Sequence, residues 1–160
     1  MKQSPNLQDI QEAMKPGSLS AEGFLGTDDR SLSDILQADQ QTVRRLGVTH
    51  QAIAAAMRRL TEVAKTGLGK PVELEGQYEA TDDEFMGRLP CPFRDNFKAE
   101  KRITTVRNLA TGQTMSWSDL NIHMIEAHGF YEGLGSHYRL DPATLVDFLG
   151  GKDELEKKSS

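Results

Sequence analysis

Residues 102–129, RITTVRNLATGQTMSWSDLNIHMIEAHG, change period half-way along, and that change decides the fold. Ile103, Thr104, Thr105 and Val106 form a β-branched run that ends at a turn supplying Gly112, after which residues 113–117 read as extended again. From Ser118 onward Leu120 and Met124 fall one helical turn apart, and Gly129 stands where a helix would stop. Strand, turn, strand and short helix follow one another without a βαβ rhythm, so this part of the chain reads as a ββα unit.

Upstream, residues 31–47 open on Ser31 with Asp34 three positions later, carry Leu32, Ile35, Leu36, Val43 and Leu46, and close on Gly47. In residues 49–67, Thr49 is a cap and Ile53, Ala56, Met57, Leu60, Val63 and Ala64 form one stripe at helical period. These segments predict a helical hairpin. The next stretch, PVELEGQYEA (residues 71–80), alternates and is read as one strand with Val72, Leu74 and Tyr78 inward. Near the C-terminus Asp141 and Pro142 open a last short helix that Gly150 ends. Helices first, then strands with short helices, indicate an α+β class: an N-terminal helical hairpin packed on a small antiparallel sheet, then a ββα-like C-terminal half.

At 160 residues the chain has the length of one domain. A flexible tail is expected over residues 1–23, a single domain over 24–150 and a charged, disordered tail over 151–160. The formal charge of −5 argues against non-specific nucleic-acid binding over the whole surface. A single cysteine precludes an internal disulfide, and no apolar run is long enough for a bilayer, which leads to the expectation of a cytoplasmic protein with no membrane association.

Three constellations bear on function. Cys91 precedes the hairpin, and His123 and His128 lie on the helix after it, the outline of a ββα zinc module, in which thiolate and imidazole suit a tetrahedral ion. The usual second cysteine is missing. CPFRDNF offers only Asp95 as a nearby oxygen ligand; His137 in GSHYR is the candidate fourth member of the set, with water completing an open site as the alternative. At about 100° per residue, His123 and His128 sit roughly 140° apart around an ideal helix, so their convergence is expected to need a loosened last turn. On the competing reading His123 is a half-buried polar residue and His128 a cation at a helix C-terminus. HMIEAH matches neither protease arrangement of paired histidines with a general-base glutamate, and the prolines flanking Cys91 disfavour an activated thiolate.

The second constellation is QTVRRLGVTHQAIAAAMRRL (residues 41–60), two helices about a glycine turn, which resembles the helix-turn-helix pattern of bacterial regulators. The resemblance implies DNA binding, with Gln51 at a base edge and Arg44, Arg45, Arg58 and Arg59 on phosphates. An αα-hairpin whose glycine merely ends the first helix accounts for the same letters, and Val43 stands where the motif wants a small residue. Third, the glycines of GFYEGLGSHY (residues 129–138) lack the lysine and hydroxyl of a phosphate loop, so that stretch is expected to be an irregular loop with its aromatics packed on the core. Taken together, the residues predict a non-enzymatic binding or regulatory module acting on a protein partner. A zinc protein, structural or hydrolytic, is the alternative, and DNA binding the third reading.

Overall fold

The computed structural model describes residues 3–15 and 23–159. Its first helix, α1 (Pro5–Ala13), is capped by Ser4 and has proline in its first turn, where the missing N–H costs nothing. Helix α2 (Leu32–Arg45) begins at Ser31, whose side chain accepts from the Asp34 N–H, and ends in Arg44 and Arg45, which complement the helix dipole. Helix α3 (His50–Lys65) begins at Thr49, whose side chain accepts from the Ala52 N–H. Gly47, at φ 75°, makes the turn between them.

The apolar stripe foreseen on α3 makes it the central helix. Ile53, Met57, Leu60, Thr61 and Ala64 are buried against the sheet, against α4 (Asp119–His128) and against α6 (Gly151–Ser159). Burying side chains such as Ile53, Met57 and Leu60 stabilises by about 1.5–3 kcal/mol each.

The sheet is an antiparallel meander in the order β1 (Val72–Leu74), β2 (Tyr78–Pro90), β3 (Lys98–Asn108), β4 (Thr114–Ser118). Register pairs Ala80 with Val106 and Thr104 with Trp117, so the buried alternate residues Tyr78, Ala80, Asp82, Thr104, Val106 and Trp117 occupy one face. Thr61 of α3 reaches that face: its hydroxyl lies 2.8 Å from Thr104 Oγ1 and accepts the Trp117 indole N–H at 2.9 Å. β2 and β3 continue past β1 and β4 as a two-stranded arm running to Pro90 and Lys98, with a bulge between Phe85 and Arg88. Helix α5 (Pro142–Phe148) starts at Asp141 as expected, and the core divides into a cluster under α3 and a second one joining Ile10, Met14, Leu32 and Ile35 to Cys91, Leu120, Met124 and Phe130.

Two expectations need correction. Residues 71–80 are not one strand: Glu75 and Gly76, at φ 53° and 69°, fold the segment into a hairpin, with Gln77 N–H bonded to Leu74 O at 2.9 Å. The tails are also more structured than their composition suggests. Within the expected N-terminal tail α1 docks through Ile10, and within the expected charged tail α6 inserts Leu155, 1% exposed, into the main core. Residues 16–22, also assigned to the N-terminal tail, lie outside the described residues.

Candidate metal centre

The arm ends in a tight knuckle. Cys91 N–H donates to Phe97 O at 2.9 Å, Arg94 N–H to Cys91 O at 3.2 Å, and Asp95 Oδ1 accepts the Phe97 N–H at 3.1 Å. Arg94 and Asn96 adopt positive φ, 62° and 67°, so five residues turn the chain back while Cys91 and Asp95 point the same way.

What they point at is α4. Its N-terminus is fixed by a capping box between Ser118 and Asn121 and by Arg102 of β3, whose Nη1 is 2.7 Å from Asp119. Gly129, at φ 63°, ends it, with Gly129 N–H bonded to Ile125 O and Phe130 N–H to Met124 O, so the last turn is closed rather than loosened. His123 and His128 nevertheless converge. Each imidazole swings round the helix toward Asp95, whose Oδ2 is 2.6 Å from His123 Nε2 and 2.7 Å from His128 Nε2. The reach of the side chains, and not an unwound helix, closes the gap that their angular separation opens.

One donor atom from each of Cys91, Asp95, His123 and His128 lies within 4.8 Å of the others. Both rings are clamped: Phe97 stacks on His123 at 3.7 Å and 6°, and Phe93 stacks on His128 at 4.0 Å and 10°. Phe93 in turn meets Phe130 edge-on at 5.4 Å. The fourth sequence candidate, His137, is not in the set; it sits on the loop after α4 beside Tyr138, and Asp95 takes its place. The available signal was the nearness of Asp95 to Cys91 in sequence, which a tight knuckle converts into a shared direction.

Electrostatics distinguish the donors. Burial pushes the Cys91 thiol up to about 12, an effect that Asp95 reinforces and the Phe93 backbone amide opposes. For Asp95 burial disfavours the charge, yet hydrogen bonds from His128, the Phe97 N–H and His123 outweigh it and hold the carboxyl well below the usual range. A thiol this reluctant to ionise is a poor free nucleophile. It is a good ligand once a cation stands beside it, because metal binding displaces the proton.

The donor set lies close to, but not at, the spacing of a tetrahedral ion's ligands. Bonds of about 2.0–2.3 Å place ligand atoms roughly 3.3–3.7 Å apart. The Asp95–histidine contacts are shorter than this and the 4.8 Å outer separation is longer, so accommodating an ion asks for shifts of about an ångström or less.

The helix-turn-helix candidates fare differently. Gln51 donates to Glu126 O at 3.2 Å, Arg58 holds the Glu126 carboxylate at 2.9 and 3.1 Å, and Arg59 pairs with Glu75 at 2.7 Å. Arg44 and Arg45 are exposed at the C-terminal end of α2 with no side-chain ion pair among the described residues, whereas Gln51 and Arg58 are exposed but bonded to Glu126. Eight of the sixteen residues of α3 are buried, which leaves a narrow exposed stripe at Gln51, Arg58 and Glu62, and on it Gln51 and Arg58 are engaged by Glu126. On the neighbouring arm Arg88 pairs with Glu100, and Arg102 lies among Asp82, Glu84 and Asp119.

Sequence reasoning missed two polar links in the loop after α4. Tyr131 hydroxyl is 2.9 Å from His50 Nδ1, and Glu132, only 4% exposed, accepts from Asn121 and Ser136. Phe130 and Tyr131 pack inward as expected, whereas Tyr138 is exposed. Among the described residues no helix is long and apolar enough to cross a membrane. Comparison of the chain with protein-family models, with curated proteins and with solved structures finds no match.

Proposed function

We propose that this is a zinc-binding module in which Cys91, Asp95, His123 and His128 hold a structural ion. The observation that carries the reading is the convergence of these donors, from two separate elements, on a space the size of one ion, with both imidazoles aromatically clamped. One sulfur, two imidazole nitrogens and one carboxylate oxygen form a borderline-soft, four-fold set that suits zinc better than magnesium or calcium, which prefer all-oxygen shells.

A structural ion fits better than a hydrolytic one. Four side-chain donors fill a tetrahedron and leave no position for an activated water. The ion would tie the tip of the β2–β3 arm to α4, joining residues 28 to 37 positions apart and adding to the apolar cluster of Cys91, Leu120, Met124 and Phe130. On this reading the ion holds structure and takes no part in catalysis, so a protein partner would meet the module outside the ion site.

The test is metal content by elemental analysis of the untagged chain after dialysis against dilute zinc, with Cys91→Ser and His128→Ala beside it. Near-stoichiometric zinc is expected in the parent and little in either variant. Addition of a strong chelator is expected to lower the melting temperature of the parent alone. Absence of zinc from the parent, or equal zinc in both variants, would overturn the proposal.

A further inference from the structure

A second feature is independent of the ion. Between the arm, the N-terminus of α4 and the loop that follows α4 lies a cavity of about 600 Å³, within the range of small-ligand sites. Phe24, Phe85, Leu89, Leu120 and Tyr138 give it apolar walls, and Phe85, Leu89 and Tyr138 are 59%, 38% and 39% exposed, an unusual concentration of wetted large side chains.

One charged group lines this cavity from a buried position. Glu132 is held at φ 69°; its Oε2 accepts the Asn121 side-chain N–H at 2.6 Å and its Oε1 accepts the Ser136 hydroxyl at 2.7 Å. Both partners are neutral. No cation forms an ion pair with it among the described residues: Arg139 donates to the Glu132 backbone oxygen at 2.8 Å and commits its guanidinium to Asp39 at 2.6 and 3.0 Å. Burial accordingly raises its pKa, against the pull of the two hydrogen bonds and the more distant Arg139 and His137. Each carboxylate oxygen has a lone pair left after its present bond. A buried carboxylate without a counter-ion is costly, and a ligand cation reaching it through an apolar cavity would relieve that cost.

The cations on the cavity wall do not compete for this role. Arg102 is surrounded by Asp82, Glu84 and Asp119, and Lys101 is exposed at the rim.

We propose that this cavity binds a small organic amine, its protonated head on Glu132 beside Ser136 and its apolar body against Phe24, Phe85, Leu89, Leu120 and Tyr138. The exposed rings of Phe85 and Tyr138 add faces on which an ammonium is favoured.

The experiment uses the full chain and three probes of one shape: 2-phenylethylamine, the neutral 2-phenylethanol and the anionic 3-phenylpropionate. Binding is measured by titration calorimetry and mapped by amide chemical-shift changes. The amine is expected to bind about tenfold or more tightly than the alcohol, as a charge-assisted hydrogen bond should confer, with the acid weakest and the shifts centred on Glu132, Gly133 and Ser136. Glu132→Gln should remove the preference for amine over alcohol. Leu89→Trp, which fills the cavity without touching Glu132, should weaken both and keeps the test decisive if the glutamine variant folds poorly. Equal affinity for amine and alcohol, tighter binding of the acid, or no response to any probe would overturn the proposal.

Discussion

Replacing Thr61 by valine tests the joint between α3 and the sheet. The hydroxyl of Thr61 serves two groups at once, lying 2.8 Å from Thr104 Oγ1 and accepting the Trp117 N–H at 2.9 Å, and all three residues are at most 2% exposed. Valine keeps the shape and removes the oxygen, so an indole N–H and a threonine hydroxyl are stranded in a dry interior. Each stranded group costs about 1–3 kcal/mol, which sets the expected loss at roughly 2–6 kcal/mol and, for a chain of this length, about 4–24 °C in melting temperature. Thr104→Val, which leaves the Trp117–Thr61 bond in place, should cost about half as much. Thr61→Ser, which keeps the hydroxyl and loses a methyl group, should cost about 1 kcal/mol. Urea unfolding followed by the fluorescence of the single tryptophan, Trp117, at one fixed zinc concentration, ranks the three. The reasoning is refuted if Thr61→Val lies within about 0.5 kcal/mol of the parent, the scatter of ordinary surface changes, or if Thr104→Val proves the costlier.

Gly129→Ala is expected to cost about 1–3 kcal/mol and to weaken zinc binding, since φ 63° is unfavourable to alanine and an added Cβ would stand 2.7 Å from His50 Nε2, on a ring already held by Tyr131 and Gln40; an unchanged zinc affinity would show that His128 is positioned without the helix stop. Asp28 should shape the acid limb of the stability curve. Hydrogen bonding from the Arg30 side chain, against burial and helped by the Leu134 and Arg30 amides, lowers its pKa from 3.8 to about 2. A depressed folded-state value means stability that is fully present above about pH 4 and is lost as pH falls through about 2, worth on the order of 2 kcal/mol. Asp28→Asn should therefore flatten stability between these limits, and urea midpoints measured across that window that still fall as steeply as the parent's would contradict it.

Much of this architecture was legible because local and global preferences agree. Ser31, Thr49 and Asp141 are caps in fact as in sequence, Ser118 caps the short helix expected to start there, and Gly47 and Gly129 sit at the turns their neighbours predict. The misreadings share a cause, which is that tertiary contacts decide what composition leaves open. Nothing in VELEGQYEA marks Glu75 as a residue at positive φ, and KDELEKKSS looks like a solvated tail until Leu155 finds a core to enter. At the ion site, Cys91, His123 and His128 were readable from spacing, whereas the exchange of His137 for Asp95 depends on a knuckle whose two positive-φ residues are an arginine and an asparagine. Glu132 was invisible for a related reason: a glutamate in a glycine-rich loop reads as surface, and only the packing of that loop under Asn121 buries it.

The face-to-face stacks of Phe97 on His123 and Phe93 on His128 carry a consequence for observation. At 3.7 and 4.0 Å each imidazole lies within the shielding cone of a benzene ring, so its carbon-bound protons resonate upfield of those of an exposed histidine such as His137. These protons form a built-in magnetic ruler. Any event that slides either ring sideways by a fraction of an ångström, the arrival of a cation among them, moves a resonance that belongs to that histidine alone, without a label or a substituted residue.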